Sequence, residues 1–344
     1  MRIAIDATYS IDPFPSGIAV YSRELSEGLA LQHAQDKIIE CFRFKQWKRR
    51  RRPSSGNVSA RILQWPLPIG NADLFHALNQ RVDWRPARKV VATFHDLFVM
   101  TAEYSTPDFR RRFARQAQRA AERSDAIIAV SRFTAEQVHS LLGVEWSRIR
   151  VIPHGVHVPP TKSDAERENI ILSVGALQLR KNIGRLVEAF EMIKHREWRL
   201  ILAGSPTGFG AEQILQTIQR SKAKDRIEVA GYVTEQRLRE LYSKAKVFAF
   251  PSLDEGFGIP ILEAMANGVA VVTSNRSALP EVCGDAALTV DPYSTDAIAT
   301  AVELLIGDEE MRSRFQEKGL KRAAEFSWGN CVRETYQVYE EIVG

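Results

Sequence analysis

Apolar residues along the chain fall into short unbroken runs, separated by longer stretches with apolar positions at helical spacing. In the first half, Arg2 to Asp6, Asp73 to Ala77, Lys89 to Thr93, Ala126 to Val130 and Arg148 to Ile152 predict strands. In the second half the predicted strands are Ile170 to Val174, Trp198 to Ala203, Ile227 to Val229, Val247 to Phe250, Val269 to Val272 and Leu288 to Val290. Runs such as Ile170 to Val174 suit strands buried on both faces of a parallel sheet. Helical patterns lie between the strands. One spans Ile18 to Gln32, one runs from a Ser131 cap to Leu142, one from an Asn182 cap to Ile193, and one follows Thr234 with Leu238, Leu241 and Tyr242. Helices over Thr295 to Ile306, Glu309 to Phe326 and Asn330 to Val343 end the chain.

The βαβα order recurs in both halves, so the expected fold is α/β, with two doubly wound parallel sheets. A polar stretch with paired prolines begins at Pro159 and reads as a linker. The expected organisation is a first domain over 1–158, a linker over 159–169, a second domain over 170–326, and a final helix over 327–344.

Everything else can be organised around Phe250 to Thr273, FPSLDEGFGIPILEAMANGVAVVT. It reads as strand, Gly-x-Gly turn, short helix, strand. Pro260 suits the first turn of the helix, where a missing N–H costs nothing. Gly268 suits the left-handed position that ends it. Backbone N–H groups and the positive end of a helix then converge, a natural seat for phosphate. Glu255 and Glu263 flank that seat. Carboxylates hold phosphate poorly but accept hydrogen bonds well from neighbouring hydroxyls, such as those of a ribose or hexose. Spacing alone also fits an ordinary α/β connection.

Glu255-Gly256-Phe257-Gly258, Glu263-Ala264-Met265-Ala266-Asn267-Gly268 and Val271-Val272-Thr273-Ser274 together resemble the retaining glycosyltransferases of family 4. Their hallmark is two glutamates separated by seven residues. The resemblance implies a GT-B fold, two Rossmann-like domains facing across a cleft that holds the site. It also implies roles. Arg180 and Lys181 hold the donor diphosphate. Gly175, Gly17, and the backbone of Gly256, Phe257, Gly258 and Ile259 face the donor. The nucleobase lies beside Gly231-Tyr232-Val233. Glu263 takes the ribose and Glu255 the hexose, while His95 and Asp96 approach sugar and acceptor. Ser16-Gly17 keeps only the second glycine of the family's Gly-Gly loop. Pro153-His154-Gly155-Val156 resembles its interdomain Pro-Asn-Gly-Val, with His154 replacing Asn. The match is strongest over 151–292.

Two features bear on Arg180 and Lys181 independently. Two cations at a helix start oppose the dipole, which suggests an anion before them. The chain also has no Asp-x-Asp, so no metal cofactor is expected and protein cations must neutralise the leaving group. The implied reaction moves a hexose from a nucleotide diphosphate sugar to a glycan or lipid-linked acceptor. The details resemble mannosyl- or rhamnosyl-type transferases of bacterial surface polysaccharides, favouring GDP-mannose over a UDP-sugar. The alternatives are a sugar-nucleotide epimerase, which needs acid–base pairs on both faces of the sugar, and a non-catalytic nucleotide-binding scaffold.

Composition adds little to this. A net charge of +5 over 344 residues suits anionic partners. Lys48 to Arg52 and the arginines from Arg111 to Arg123 could be solvated faces or contacts to an anionic membrane. No DNA-reading motif accompanies them, so no nucleic acid partner is expected. Cys41, Cys283 and Cys331 are too dispersed for a disulfide framework or metal site. The N-terminal residues read as a strand rather than a signal peptide, and no run is long enough for a spanning helix. The expectation is a cytoplasmic protein, peripheral at most to the inner membrane face.

Overall fold

The computed structural model describes residues 1–11, 16–50, 55–159 and 166–344. Pro13 and Pro15 of the first loop, Arg51 and Arg52, and most of the expected linker lie outside the described residues. The chain divides into two compact units, Met1–Gly155 with Phe326–Gly344, and Val156–Glu325.

The first unit contains β1 (Arg2–Asp6), α1 (Gly17–Gln32), β2 (Lys37–Arg43), β3 (Val58–Leu63), β4 (Leu74–Ala77), β5 (Lys89–Phe94), α2 (Phe98–Thr101), α3 (Pro107–Arg123), β6 (Ala126–Ala129), α4 (Arg132–Leu142) and β7 (Ile149–Val151). Its described strands pair in parallel in the order β3-β2-β1-β4-β5-β6-β7. Side chains alternate across the sheet. Ile3 and Ile5 pack in one apolar layer with Leu25 and Leu29 of α1, whereas Ala4 joins the opposite layer with Ala117 and Val138.

The second unit contains β8 (Glu168–Val174), α5 (Ile183–Met192), β9 (Arg199–Ala203), α6 (Ala211–Arg220), β10 (Ile227–Gly231), α7 (Glu235–Lys244), β11 (Ala245–Phe250), α8 (Ile259–Ala266), β12 (Ala270–Ser274), α9 (Leu279–Cys283), β13 (Ala287–Val290), α10 (Thr295–Gly307) and α11 (Glu309–Ala324). Its strand order is β10-β9-β8-β11-β12-β13, again parallel. The last helix, α12 (Trp328–Val343), belongs to the first unit and lies against α1. There a Cβ on Gly28 would stand 2.5 Å from Val332 Cγ2, so only glycine admits the contact.

Two strands escape the sequence pattern. β2 carries Lys37, Glu40 and Arg43, and the edge strand β3 is partly exposed, so neither shows an unbroken apolar run. Asn182 is a second departure. It precedes α5 but has left-handed backbone (φ 58°), and its side chain does not cap the helix. Among the described residues, no helix is long and apolar enough to cross a membrane.

Candidate active site

In the second unit the sheet order reverses between β8 and β11, since β9 and β10 lie to one side and β12 and β13 to the other. Open α/β sheets bind ligands outside the carboxyl ends of strands at such a switch point. The loops leaving β8 and β11 carry Arg180, Lys181 and Glu255.

Arg180 and Lys181 sit in a 3₁₀ turn, Leu179–Lys181, immediately before α5. Asn182 fastens that turn. Its Nδ2 donates to Pro251 O at 3.0 Å and Pro292 O at 2.7 Å, joining the ends of β11 and β13. The Arg180 carbonyl accepts from Leu253 N at 2.8 Å and Ser252 Oγ at 3.1 Å.

Glu255 lies between the two cations. Its Oε1 accepts from Lys181 Nζ at 2.6 Å and from Ser252 Oγ at 2.8 Å; Oε2 is 2.8 Å from Arg180 Nη1. Burial pushes this carboxyl up, but the charges of Arg180 and Lys181 outweigh it and hold Glu255 at about 2. It is a carboxylate at neutral pH. The anion expected in front of the two cations is thus present within the protein itself. The aliphatic end of Lys181 is bounded by Phe250, with Nζ 4.6 Å from the ring centre, and by Gly175, where a Cβ would stand 3.2 Å from Lys181 Cε. The Glu255 backbone is tied to the loop after β12. Its N–H donates to Ser277 Oγ at 3.1 Å, and its carbonyl accepts from Ala278 N at 3.2 Å.

Gly256, Phe257 and Gly258 lead into α8, whose first residue is Ile259 and whose N-cap, Gly258 (φ 104°), provides no side-chain cap. Pro260 is its second residue. Glu263 is half-buried one turn further on, and its Oε2 accepts from Tyr242 OH at 2.8 Å. Burial raises the Glu263 pKa; the Tyr242 hydrogen bond works against this.

Gly175, Gly204 and Gly231 mark the carboxyl ends of β8, β9 and β10. Gly175 N donates to Ala203 O and Gly204 N to Gly231 O, both at 2.8 Å. Beyond them Tyr232 is exposed and Val233 half-buried.

In the first unit, Gly17 is exposed at the start of α1, whose N-cap is Ser16. His95 follows β5 and is buried, with half-buried Asp96 after it. His95 Nε2 lies 2.9 Å from Leu78 O, and Nδ1 lies 3.3 Å from His154 Nε2. A carbonyl only accepts, so Nε2 of His95 carries the proton. Burial lowers the His95 pKa to about 4. His95 is therefore a neutral imidazole with both ring nitrogens engaged inside its own unit.

Sequence reasoning gave no site role to four residues that shape these groups: Ser252, Ser277, Tyr242 and His154. Two carried a visible signal, Tyr242 as a hydroxyl among the apolar residues of its helix and His154 as the replacement of Asn in Pro153-His154-Gly155-Val156.

The two Rossmann-like units are those of the GT-B glycosyltransferases. A family model described as "Glycosyl transferases group 1" matches residues 160–322, and one described as "Glycosyltransferase Family 4" matches residues 17–158. The O-antigen chain mannosyltransferase B of Escherichia coli is 30% identical over 328 residues, covering 91% of this chain and 82% of that protein. The serotype-specific mannosyltransferase WbdA of Escherichia coli is 29% identical over 275 residues, 74% of this chain but only 34% of WbdA. In fold, the chain is similar to sucrose-phosphate synthase from Thermosynechococcus elongatus, with a TM-score of 0.81 over 99% of each chain at 21% identity. The chain belongs to glycosyltransferase family 4, and it is a glycosyltransferase rather than an epimerase or silent scaffold.

Proposed function

We propose that the chain moves mannose from GDP-mannose to a hydroxyl of a glycan or lipid-linked acceptor, with retention of the α configuration and without a metal ion. The observation that carries the chemistry is the Arg180–Glu255–Lys181 cluster at the β8/β11 switch point. Two cations and one carboxylate leave one formal positive charge in excess, attractive to a diphosphate. Arg180, Lys181 and the backbone amides near the start of α8 neutralise the departing nucleotide, each essential donor contributing about 3–4 kcal/mol.

Glu255 is ionised and has no proton to give, so it accepts hydrogen bonds from hexose hydroxyls. Flanked by two cations it is a weak nucleophile. That supports front-face substitution over a covalent glycosyl intermediate. The bond from the anomeric carbon to the acceptor oxygen forms as the bond to phosphate breaks, and the departing phosphate oxygen takes the acceptor's proton. In this reading Glu263 accepts from the ribose hydroxyls, Gly231, Tyr232 and Val233 border the nucleobase, and Gly17 and Gly175 face the donor. His95 and Asp96 orient the sugar or acceptor, with His95 held neutral.

Mannose is supported by the two Escherichia coli relatives, both mannosyltransferases. Peripheral contact with anionic lipid is supported by α3, which exposes Phe109, Arg111, Arg112, Arg115 and Arg119. Arg123 is not available to it, since its Nη1 donates to Val82 O at 3.0 Å. Lys48, Arg49 and Arg50 are exposed as well, with the Arg50 guanidinium 3.9 Å from the Trp47 ring centre.

The test is nucleotide binding by calorimetry and nucleotide release from a panel of GDP- and UDP-sugars, with and without a chelator. The expected result is selective binding of GDP-mannose, chelator-independent turnover, and loss of both in Lys181→Ala. No binding of any sugar nucleotide by folded protein would sink the site assignment.

A further inference from the structure

Residues 275–278 join β12 to α9 and meet Glu255 through its backbone. The Glu255 N–H donates to Ser277 Oγ at 3.1 Å, and the Glu255 carbonyl accepts from Ala278 N at 3.2 Å. The Ser277 hydroxyl donates in turn to Arg276 O at 2.7 Å. The segment is itself anchored. Asn275 N donates to Val290 O at 2.9 Å, and Arg276 N to Ser274 Oγ at 3.1 Å. One residue further on, buried Leu279 lies against Gly258, where a Cβ would stand 2.7 Å from Leu279 Cδ2. The same short segment therefore fixes the Glu255 backbone and abuts the N-cap of α8.

Ser277 holds this position at a conformational cost. Its φ is 55°, a left-handed backbone that few side chains other than Asn and Asp adopt readily. The other non-glycine residues with positive φ among the described ones, Asn71 and Asn182, are both asparagines. Glycine would take the same backbone freely but would offer the Glu255 N–H no acceptor. Strained backbone that persists because its surroundings hold it clusters at functional sites.

We propose that Ser277 is a positioning residue for the transfer: its hydroxyl and left-handed backbone set where the Glu255 carboxylate stands when the hexose is bound. This rests on the reading above that Glu255 accepts from hexose hydroxyls. In the empty site the carboxylate is held by Lys181, Arg180 and Ser252. When a diphosphate takes over the two cations, Ser252 Oγ and the backbone bonds to Ser277 and Ala278 are what remain of that hold. The backbone clamp therefore matters most in the loaded site. A carboxylate displaced there weakens hydrogen bonds to the reacting sugar and leaves nucleotide binding intact.

The test compares Ser277→Gly, Ser277→Ala and Ser277→Asn with wild type in the full chain. The substrate is the sugar nucleotide selected by the panel above, with GDP-mannose expected. Ser277→Gly should lower kcat for nucleotide release about tenfold, the loss of roughly one hydrogen bond, and leave the affinity for free nucleotide within about twofold. Its Tm should stay near wild type, because relief of the left-handed strain offsets the lost bond. Ser277→Ala loses the bond and keeps the strain, so it should melt lower. Ser277→Asn tolerates the backbone and supplies an acceptor, so it should recover most of kcat. Amide hydrogen exchange over residues 255–258 should speed up in Ser277→Gly and return toward wild type in Ser277→Asn. Unchanged kcat and exchange in Ser277→Gly, or nucleotide affinity and Tm falling together with kcat, overturns the proposal. Absence of nucleotide release in wild type overturns the transferase reading instead, and exchange then still decides whether Ser277 holds Glu255.

Discussion

Lys181 Nζ lies 2.6 Å from Glu255 Oε1, a bond between residues 74 positions apart. It ties the loop after β8 to the loop after β11, and Arg180 completes the tie on the other carboxylate oxygen at 2.8 Å. One carboxylate thus holds two cations in a buried site before any donor arrives. In the proposed reaction a diphosphate takes over the cations and hexose hydroxyls take over the carboxylate.

This arrangement makes stability depend on pH in a definite direction. The folded Glu255 sits at about 2, below its ordinary 4.5. Between those values the unfolded chain binds the extra proton, so the contribution is complete above about pH 4.5 and is lost as pH falls toward 2. Its size is roughly 3 kcal/mol at neutral pH. Urea denaturation of wild type and Glu255→Gln should show the widest gap at pH 7 and a shrinking gap below pH 4.5. A gap that stays constant down to pH 3 would rule out this linkage.

Tyr242 is the only hydrogen-bond donor to the Glu263 carboxylate among the described residues, at 2.8 Å. If Glu263 meets the ribose, Glu263→Gln should erase discrimination between GDP and 2′-deoxy-GDP, which wild type should show. Tyr242→Phe should weaken GDP binding a few-fold and cost about 1 kcal/mol of stability. Calorimetry with the two nucleotides decides it: equal discrimination in wild type and Glu263→Gln would move the ribose elsewhere.

Most of the fold was legible because a parallel sheet buried on both faces writes itself as apolar runs, as Ile170 to Leu172 and Val247 to Phe250 show. β2 and β3 were not legible, because Glu40, Arg43 and Arg61 interrupt their runs at and near the sheet edge. The glutamate pair was legible through its spacing and its resemblance to a family. What it touches was not. The contacts of Glu255 with Lys181, of Glu263 with Tyr242, and of His95 with His154 join residues brought together only by topology. Asn182 misled for a local reason. Its sequence position fits a cap, but the fold gives it left-handed backbone and spends its amide on Pro251 and Pro292.

Two glycines of the second unit differ in the space around them. Gly204 has φ 153°, and a Cβ there would stand 2.0 Å from Gly175 O, a backbone atom that cannot move aside. Gly204→Ala should cost roughly 2–4 kcal/mol. Gly184 lies within α5 with nothing within 4 Å of its Cβ position, so Gly184→Ala should stabilise by about 0.5–1 kcal/mol. Thermal unfolding of the two variants beside wild type checks both signs at once.

His95 and His154 give the first unit an acid sensitivity of its own. Burial lowers His95 to about 4, and burial with the His95 charge lowers His154 well below its ordinary 6.5. Both stay neutral in the fold, while the unfolded chain protonates them near 6.5. Their contribution is therefore complete above about pH 6.5 and is lost as pH falls toward 4. His154→Asn removes one buried base and should flatten the fall in stability between pH 6.5 and 5, measured by urea denaturation. In the same range His95 should keep its Nε2–H tautomer in ¹⁵N spectra, because Leu78 O can only accept. An imidazolium signal from His95 at pH 6, or identical pH slopes for the two proteins, would overturn the neutral hydrogen-bonded pair.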